Sequence, residues 1–150
     1  MNLNDAEIIA KELMQKHCPE YSFSWDNAKR RFGSCNIKHK RITLSKDLVS
    51  LNNVEEVKNT ILHEIAHALR PKCHHDYIWR LTAISLGCDG GRVYDNNKVI
   101  TPEKKCVYQC PSCHREIKRF RKSKTLACGV CCKGKYDEKY KFILKEDDKK

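Results

Sequence analysis

The chain has 150 residues, of which 33% are charged and only 8% aromatic. That suffices for one ordinary domain, or one small domain with a satellite, and it argues against a large hydrophobic core; bound metal is the usual substitute for missing apolar area. No run approaches the roughly 18 apolar residues that span a bilayer. Met1-Asn2-Leu3-Asn4-Asp5 has neither the basic flank nor the apolar stretch of a secretory signal. An intracellular protein of nucleus or cytoplasm, with no membrane partner, is therefore expected.

Ten cysteines in a reducing compartment are better read as thiolate metal ligands than as a disulfide framework, and six of them fall between Cys106 and Cys132. Cys18, Cys35, Cys73 and Cys88 are scattered and suit small buried hydrophobes. The net charge of +11 is also uneven: residues 1–101 carry 15 Lys/Arg against 12 Asp/Glu, whereas residues 102–150 carry 15 against 7. A basic surplus on a small module points to a polyanionic partner, most simply nucleic acid.

In chain order, residues 5–17 place Ala6, Ile9, Ala10, Leu13 and Met14 at helical spacing, with Asn4 or Asp5 as N-cap. Tyr21, Phe23 and Trp25 alternate with polar residues, as in a half-buried strand. The segments 32–37 and 41–45 flank Lys38-His39-Lys40 and predict a hairpin. A second helix is expected to start at Asn52 or Asn53, with Glu55 and Glu56 in its positive first turn, and to end at Arg70 before Pro71. A third fits residues 75–86 and stops at Gly87. Around Thr101-Pro102 the composition turns Cys- and Lys-rich, which divides the chain into units 1–101 and 102–150.

The central feature is His63-Glu64-Ile65-Ala66-His67. Two histidines at i and i+4 leave one helix face about a turn apart, so their imidazoles can share a metal. Glu64 sits about 100° around the axis, near enough to act as general base without being a ligand. Val54, Val57, Ile61, Ile65 and Leu69 gather on the opposite side, the arrangement of a cleft-lining helix. A catalytic zinc site takes three protein ligands; His75 and its neighbour His74 both follow at a distance that a turn could fold back.

His63-Glu64-Ile65-Ala66-His67 followed by His75-Asp76-Tyr77-Ile78-Trp79 and Leu86-Gly87-Cys88 resembles the SprT-like metalloprotease domain. Arg31-Phe32-Gly33-Ser34-Cys35 and Arg41-Ile42-Thr43-Leu44-Ser45 resemble the strand pair before its active-site helix. The resemblance spans roughly residues 5–100 and favours His75, followed four positions later by Trp79, as third ligand. It implies an α+β fold: a small zincin-like domain of helices with a short sheet or hairpin, then a β-rich zinc ribbon. The strand carrying Ile42 and Leu44 is expected to offer its edge to an extended peptide.

Cys110-Pro111-Ser112-Cys113 and Cys128-Gly129-Val130-Cys131 are two CxxC knuckles fourteen residues apart, a spacing suited to a structural zinc. Cys131 gives the regular knuckle; Cys132 is its alternative, and Cys106 has no evident partner. Between the knuckles lie Arg115, Lys118, Arg119, Phe120, Arg121, Lys122 and Lys124, basic groups with one aromatic that could meet phosphates and stack on a base. This module resembles the zinc ribbon that often follows SprT-like domains. Two zinc ions per chain are expected, one catalytic and one structural. The resemblance implies an endopeptidase of the Spartan type, cleaving proteins on DNA or crosslinked to it, with DNA, single strands included, and DNA-bound proteins as partners of a monomeric chain. The rival readings are a non-enzymatic nucleic-acid-binding zinc protein linked to transcription, and a general zinc peptidase.

Overall fold

The computed structural model describes residues 1–95 and 97–145. They form an α+β structure of two compact units, Met1–Pro102 and Glu103–Lys150. Among the described residues no helix is long and apolar enough to cross a membrane.

The first unit opens with α1 (Leu3–His17), which begins earlier than its apolar spacing suggested. Asn2, rather than Asn4 or Asp5, supplies the cap: its side chain accepts the Asn4 N–H at 2.8 Å. Ala6, Ala10 and Met14 then recur every fourth residue and are buried. Strands β1 (Ser22–Asp26), β2 (Gly33–Asn36) and β3 (Arg41–Ser45) form one sheet in the order β1-β3-β2. The predicted hairpin is the antiparallel β2–β3 pair, closed by Lys40 at φ 44°, while β1 runs parallel to β3. Because β3 is the middle strand, it has no edge to offer a substrate. The free edge beside the helices belongs to β2, which corrects the expectation for the strand carrying Ile42 and Leu44; both of those side chains are fully buried.

A short helix not evident in the sequence, α2 (Lys46–Leu51), follows at once, capped by the Ser45 hydroxyl on the Leu48 N–H. Next comes α3 (Val54–Leu69), capped by Asn53 and ended by Arg70 ahead of Pro71. Val57, Ile61 and Ile65 are completely buried, whereas Val54 and Leu69, at the two ends of the stripe, remain more than a third exposed. Helix α4 (Tyr77–Ser85) starts at the Asp76 cap, which accepts the Trp79 N–H at 2.9 Å. It ends where Gly87 takes φ 93°, a left-handed conformation that costs glycine little.

Asn52 ties the end of this unit to its core. Its buried amide donates to the carbonyls of Leu48 at 2.7 Å and Ile100 at 2.8 Å, and accepts the Ile100 N–H at 2.7 Å. The second unit pairs β4 (Cys106–Gln109) with β5 (Glu116–Arg119) and β6 (Ile143–Leu144), all antiparallel in the order β5-β4-β6. Its core is Cys106, Tyr108, Cys110, Cys128 and Phe142; Cys106 packs there as an apolar side chain.

Replacing Asn52 by Ala removes three hydrogen bonds, a buried one to Leu48 and two partly buried ones to Ile100. Asn52→Ala is expected to destabilise the first unit by about 2–4 kcal/mol, read as a lower unfolding midpoint in denaturant with an unchanged slope.

Candidate metal centres and the cleft

Helix α3 presents His63 and His67 one turn apart, and the loop after Pro71 returns His75 to them. The three Nε2 atoms form a triangle with sides of 3.3 Å (His63–His67), 3.0 Å (His67–His75) and 3.1 Å (His63–His75). A tetrahedral zinc with Zn–N bonds of 2.0–2.1 Å needs ligand nitrogens about 3.3 Å apart, so the triangle fits that ion. His75 achieves this by adopting φ 55°, a left-handed conformation unusual for a side chain other than Asn or Gly. Adjacent His74 lines the cleft, but its ring is outside the convergent group.

The electrostatics suit a cation. Burial holds both His63 and His67 down to about 4, so both rings are neutral at pH 7 with lone pairs free for a metal. His75 is also lowered, by burial first and then by the Arg92 guanidinium. Around His63 a supporting set gathers from α3 and from the loop after α4. The Gly91 carbonyl faces its ring, Asp89 adds a nearby negative charge, and Asp89 is itself held by the Gly91 N–H at 2.8 Å. The Asn59 side-chain oxygen takes the Asp89 N–H at 2.9 Å. Partners of this kind set the tautomer and orientation of a metal-binding imidazole. None of Asn59, Asp89 and Gly91 carried a recognisable signal in sequence.

Glu64 is only 7% exposed. Burial pushes its carboxyl up to about 7, opposed by the Arg31 guanidinium and by the Cys35 N–H. A carboxylate poised near neutrality is matched to taking and returning a proton. Gly33 makes the close approach possible: a Cβ there would stand 2.9 Å from Glu64 Cγ and 3.0 Å from Thr60 Cγ2. Glu64 and the three imidazoles open onto one cleft of about 450 Å³, whose wall includes Gly33, Ser34 and Cys35 of the free β2 edge. Arg30, Arg92 and Tyr94 lie on its rim.

In the second unit the thiol sulfurs of Cys110, Cys113, Cys128 and Cys131 lie within 4.8 Å of one another. Cys110–Cys131 and Cys113–Cys128 are 3.8 and 3.7 Å apart, too far for a disulfide and close to the roughly 3.8 Å edge of a tetrahedral zinc–thiolate site. Main-chain N–H groups lower two of these thiols: those of Cys131 and Val130 hold Cys128 at about 6, and those of Cys113 and Ser112 lower Cys110. Cys131 is pushed up to about 12, led by its bond with Cys113, as expected where neighbouring thiols share protons that a cation would displace. The Cys132 sulfur instead faces the Asp137 carbonyl at 3.8 Å.

The basic residues of the ribbon run from the turn before β5, through that strand, into the loop beyond it. Arg115, Lys118, Arg119, Arg121, Lys122 and Lys124 are all exposed. Phe120 is half-buried, with the Lys104 ammonium 5.8 Å from its ring centre. The loop is fixed by Tyr108, whose buried hydroxyl accepts the Ser123 N–H at 2.7 Å. Six cations thus lie along one edge strand and the chain on either side of it.

The raised Glu64 carboxyl has a thermodynamic consequence. With its folded value near 7 and its unfolded value near 4.5, the native state holds the extra proton between those limits, so this group's contribution falls as pH rises from 4.5 to 7. In metal-free protein, Glu64→Gln should stabilise the first unit at pH 8 by on the order of 2–3 kcal/mol and leave it nearly unchanged at pH 4. Thermal unfolding of both proteins across that range is the check.

A family model for the SprT-like family matches residues 5–97. No curated protein matches the chain. Among solved structures it is similar to the metallopeptidase zymogen of Methanocaldococcus jannaschii jannalysin, at 19% identity and TM-score 0.49, covering 63% of this chain and 86% of that one. It is also similar to the metallopeptidase zymogen of Pyrococcus abyssi abylysin, at 21% identity and TM-score 0.43, covering 55% of this chain and 76% of that one. With the match running from α1 through the loop after α4, the chain belongs to the SprT-like family.

Proposed function

We propose that this protein is a zinc-dependent endopeptidase acting on proteins bound or crosslinked to DNA. The observation that carries the peptidase reading is the pairing of three convergent imidazole nitrogens with a buried carboxylate on one cleft. His63, His67 and His75 would hold the zinc, which would supply Lewis acidity toward a carbonyl and toward water. Glu64 takes the proton of the attacking water and delivers it to the departing amine. The β2 edge, free on its cleft side, pairs with an extended substrate segment and sets the scissile bond against these groups. Gly33 keeps strand and helix close enough for Glu64 to reach it.

The DNA-directed part rests on family membership together with the cationic edge of the ribbon. Six exposed basic side chains with Phe120 among them suit contact with phosphates and an unpaired base. The ribbon's own four thiols, Cys110, Cys113, Cys128 and Cys131, would hold a second zinc, which would help fold this small unit.

The decisive experiment compares cleavage of a DNA-binding protein with and without single-stranded DNA. The expected outcome is cleavage that depends on DNA and falls at least about a hundredfold in Glu64→Gln. Equal cleavage in both conditions leaves a general peptidase, and none in either leaves a binding protein. DNA affinity should drop steeply with salt and weaken on charge reversal at Arg119 and Arg121. Zinc content should be two per chain, falling to one in His75→Ala and remaining two in His74→Ala, as measured by elemental analysis.

A further inference from the structure

Behind the three imidazoles stands one aromatic side chain. The Trp79 ring centre lies 4.7 Å from that of His63, 5.1 Å from His67 and 4.5 Å from His75. It is stacked on His67 at an interplanar angle of 27° and meets the other two obliquely, at 66° and 71°. Trp79 is 1% exposed and packs with Ala66, Ala83 and Cys88. Its Nε1 is the buried side-chain polar atom that, among the described residues, finds no hydrogen-bond partner.

Those observations pull in opposite directions if Trp79 is only filler. A role in packing alone would be better served by Phe or Leu, which present no orphan N–H to a dry environment. What indole offers beyond bulk is the most electron-rich face among the side chains, which attracts cationic charge within about 6 Å of the ring. Imidazoles that ligate a divalent cation take up part of its positive charge, and all three rings here lie within that range.

We propose that Trp79 is a positioning residue for the three-imidazole centre: its indole orients the three rings and stabilises the positive charge that a bound divalent cation places on them, and so sets the centre's affinity for that cation. This rests on reading His63, His67 and His75 as the metal centre. The Asp76 cap makes the arrangement sturdy. By accepting the Trp79 main-chain N–H, Asp76 starts α4 two residues after His75, so a single short segment places the third imidazole and the indole together. Trp79 thereby links the loop ligand to the two helical ones without touching substrate.

The test is a zinc titration of the full chain against a chromophoric chelator, with the ribbon's zinc as an internal reference. Trp79→Phe keeps an aromatic face and is expected to weaken the triad's zinc affinity about threefold to tenfold, and Trp79→Leu by about 30- to 100-fold. The ribbon zinc should stay unchanged in both. Should the Leu variant not fold, the wild-type shape can be kept by incorporating tryptophans carrying increasing fluorine in a Trp25→Phe background. A graded loss of zinc affinity with fluorination is then expected. Equal affinity across the wild type, Phe and Leu proteins, equal losses in Phe and Leu, or a flat fluorine series would overturn the inference. A wild-type chain that binds zinc only at the ribbon would instead remove the metal-centre reading itself.

Discussion

Three neutral imidazole nitrogens held within 3.0–3.3 Å of one another are the constraint around which the first unit is organised. Rings with inward-facing lone pairs gain little from each other, and a triangle of such nitrogens cannot be satisfied by internal hydrogen bonds alone. The fold must force the approach, and it does so with apolar packing. Val57, Ile61 and Ile65 anchor α3 against the sheet, and Trp79 closes the back of the rings from α4. Burial that makes this packing favourable also removes the charge from the imidazoles and raises the Glu64 carboxyl toward neutrality, so one physical cause acts on both kinds of group.

The two units answer the shortage of core in different ways. In the first, a continuous apolar cluster runs from α1 through the sheet to α3. In the second, the buried cluster has five residues, and two of them are cysteines whose sulfurs belong to the four-thiol group. There a cation held by the thiols would add its binding energy to that of folding.

Much of this was legible before any coordinates. Asn53 and Pro71 bracket α3 because one satisfies free N–H groups and the other removes a donor, effects that act within a few residues. The i, i+4 spacing of His63 and His67 fixes their shared face, and each CxxC pair fixes a knuckle. Features that depend on distant chain were not legible. The cap of α1 proved to be Asn2, since Asn2, Asn4 and Asp5 all have capping chemistry and packing of the helix settled its start. Helix α2 is six residues long and too short for a periodic signal. The assignment of a substrate edge to the strand of Ile42 and Leu44 failed because strand order is not local: β1 arrives parallel from before the hairpin and covers that edge.

By itself, then, the sequence determined which residue types stand one helical turn or one knuckle apart, and hence pointed to a candidate metal-binding pair with a carboxylate beside it and to a four-thiol group. Only the tertiary structure decided which of two adjacent histidines joins the pair and which of two adjacent cysteines joins the thiols. Neighbouring side chains leave the backbone in different directions, and the left-handed turn at His75 chooses between them. It also decided that Gly33 must lack a side chain, that Asn59, Asp89 and Gly91 gather behind His63, and that Trp79 meets three imidazoles at once. Those are contacts between segments brought together by burial, and no spacing along the chain encodes them.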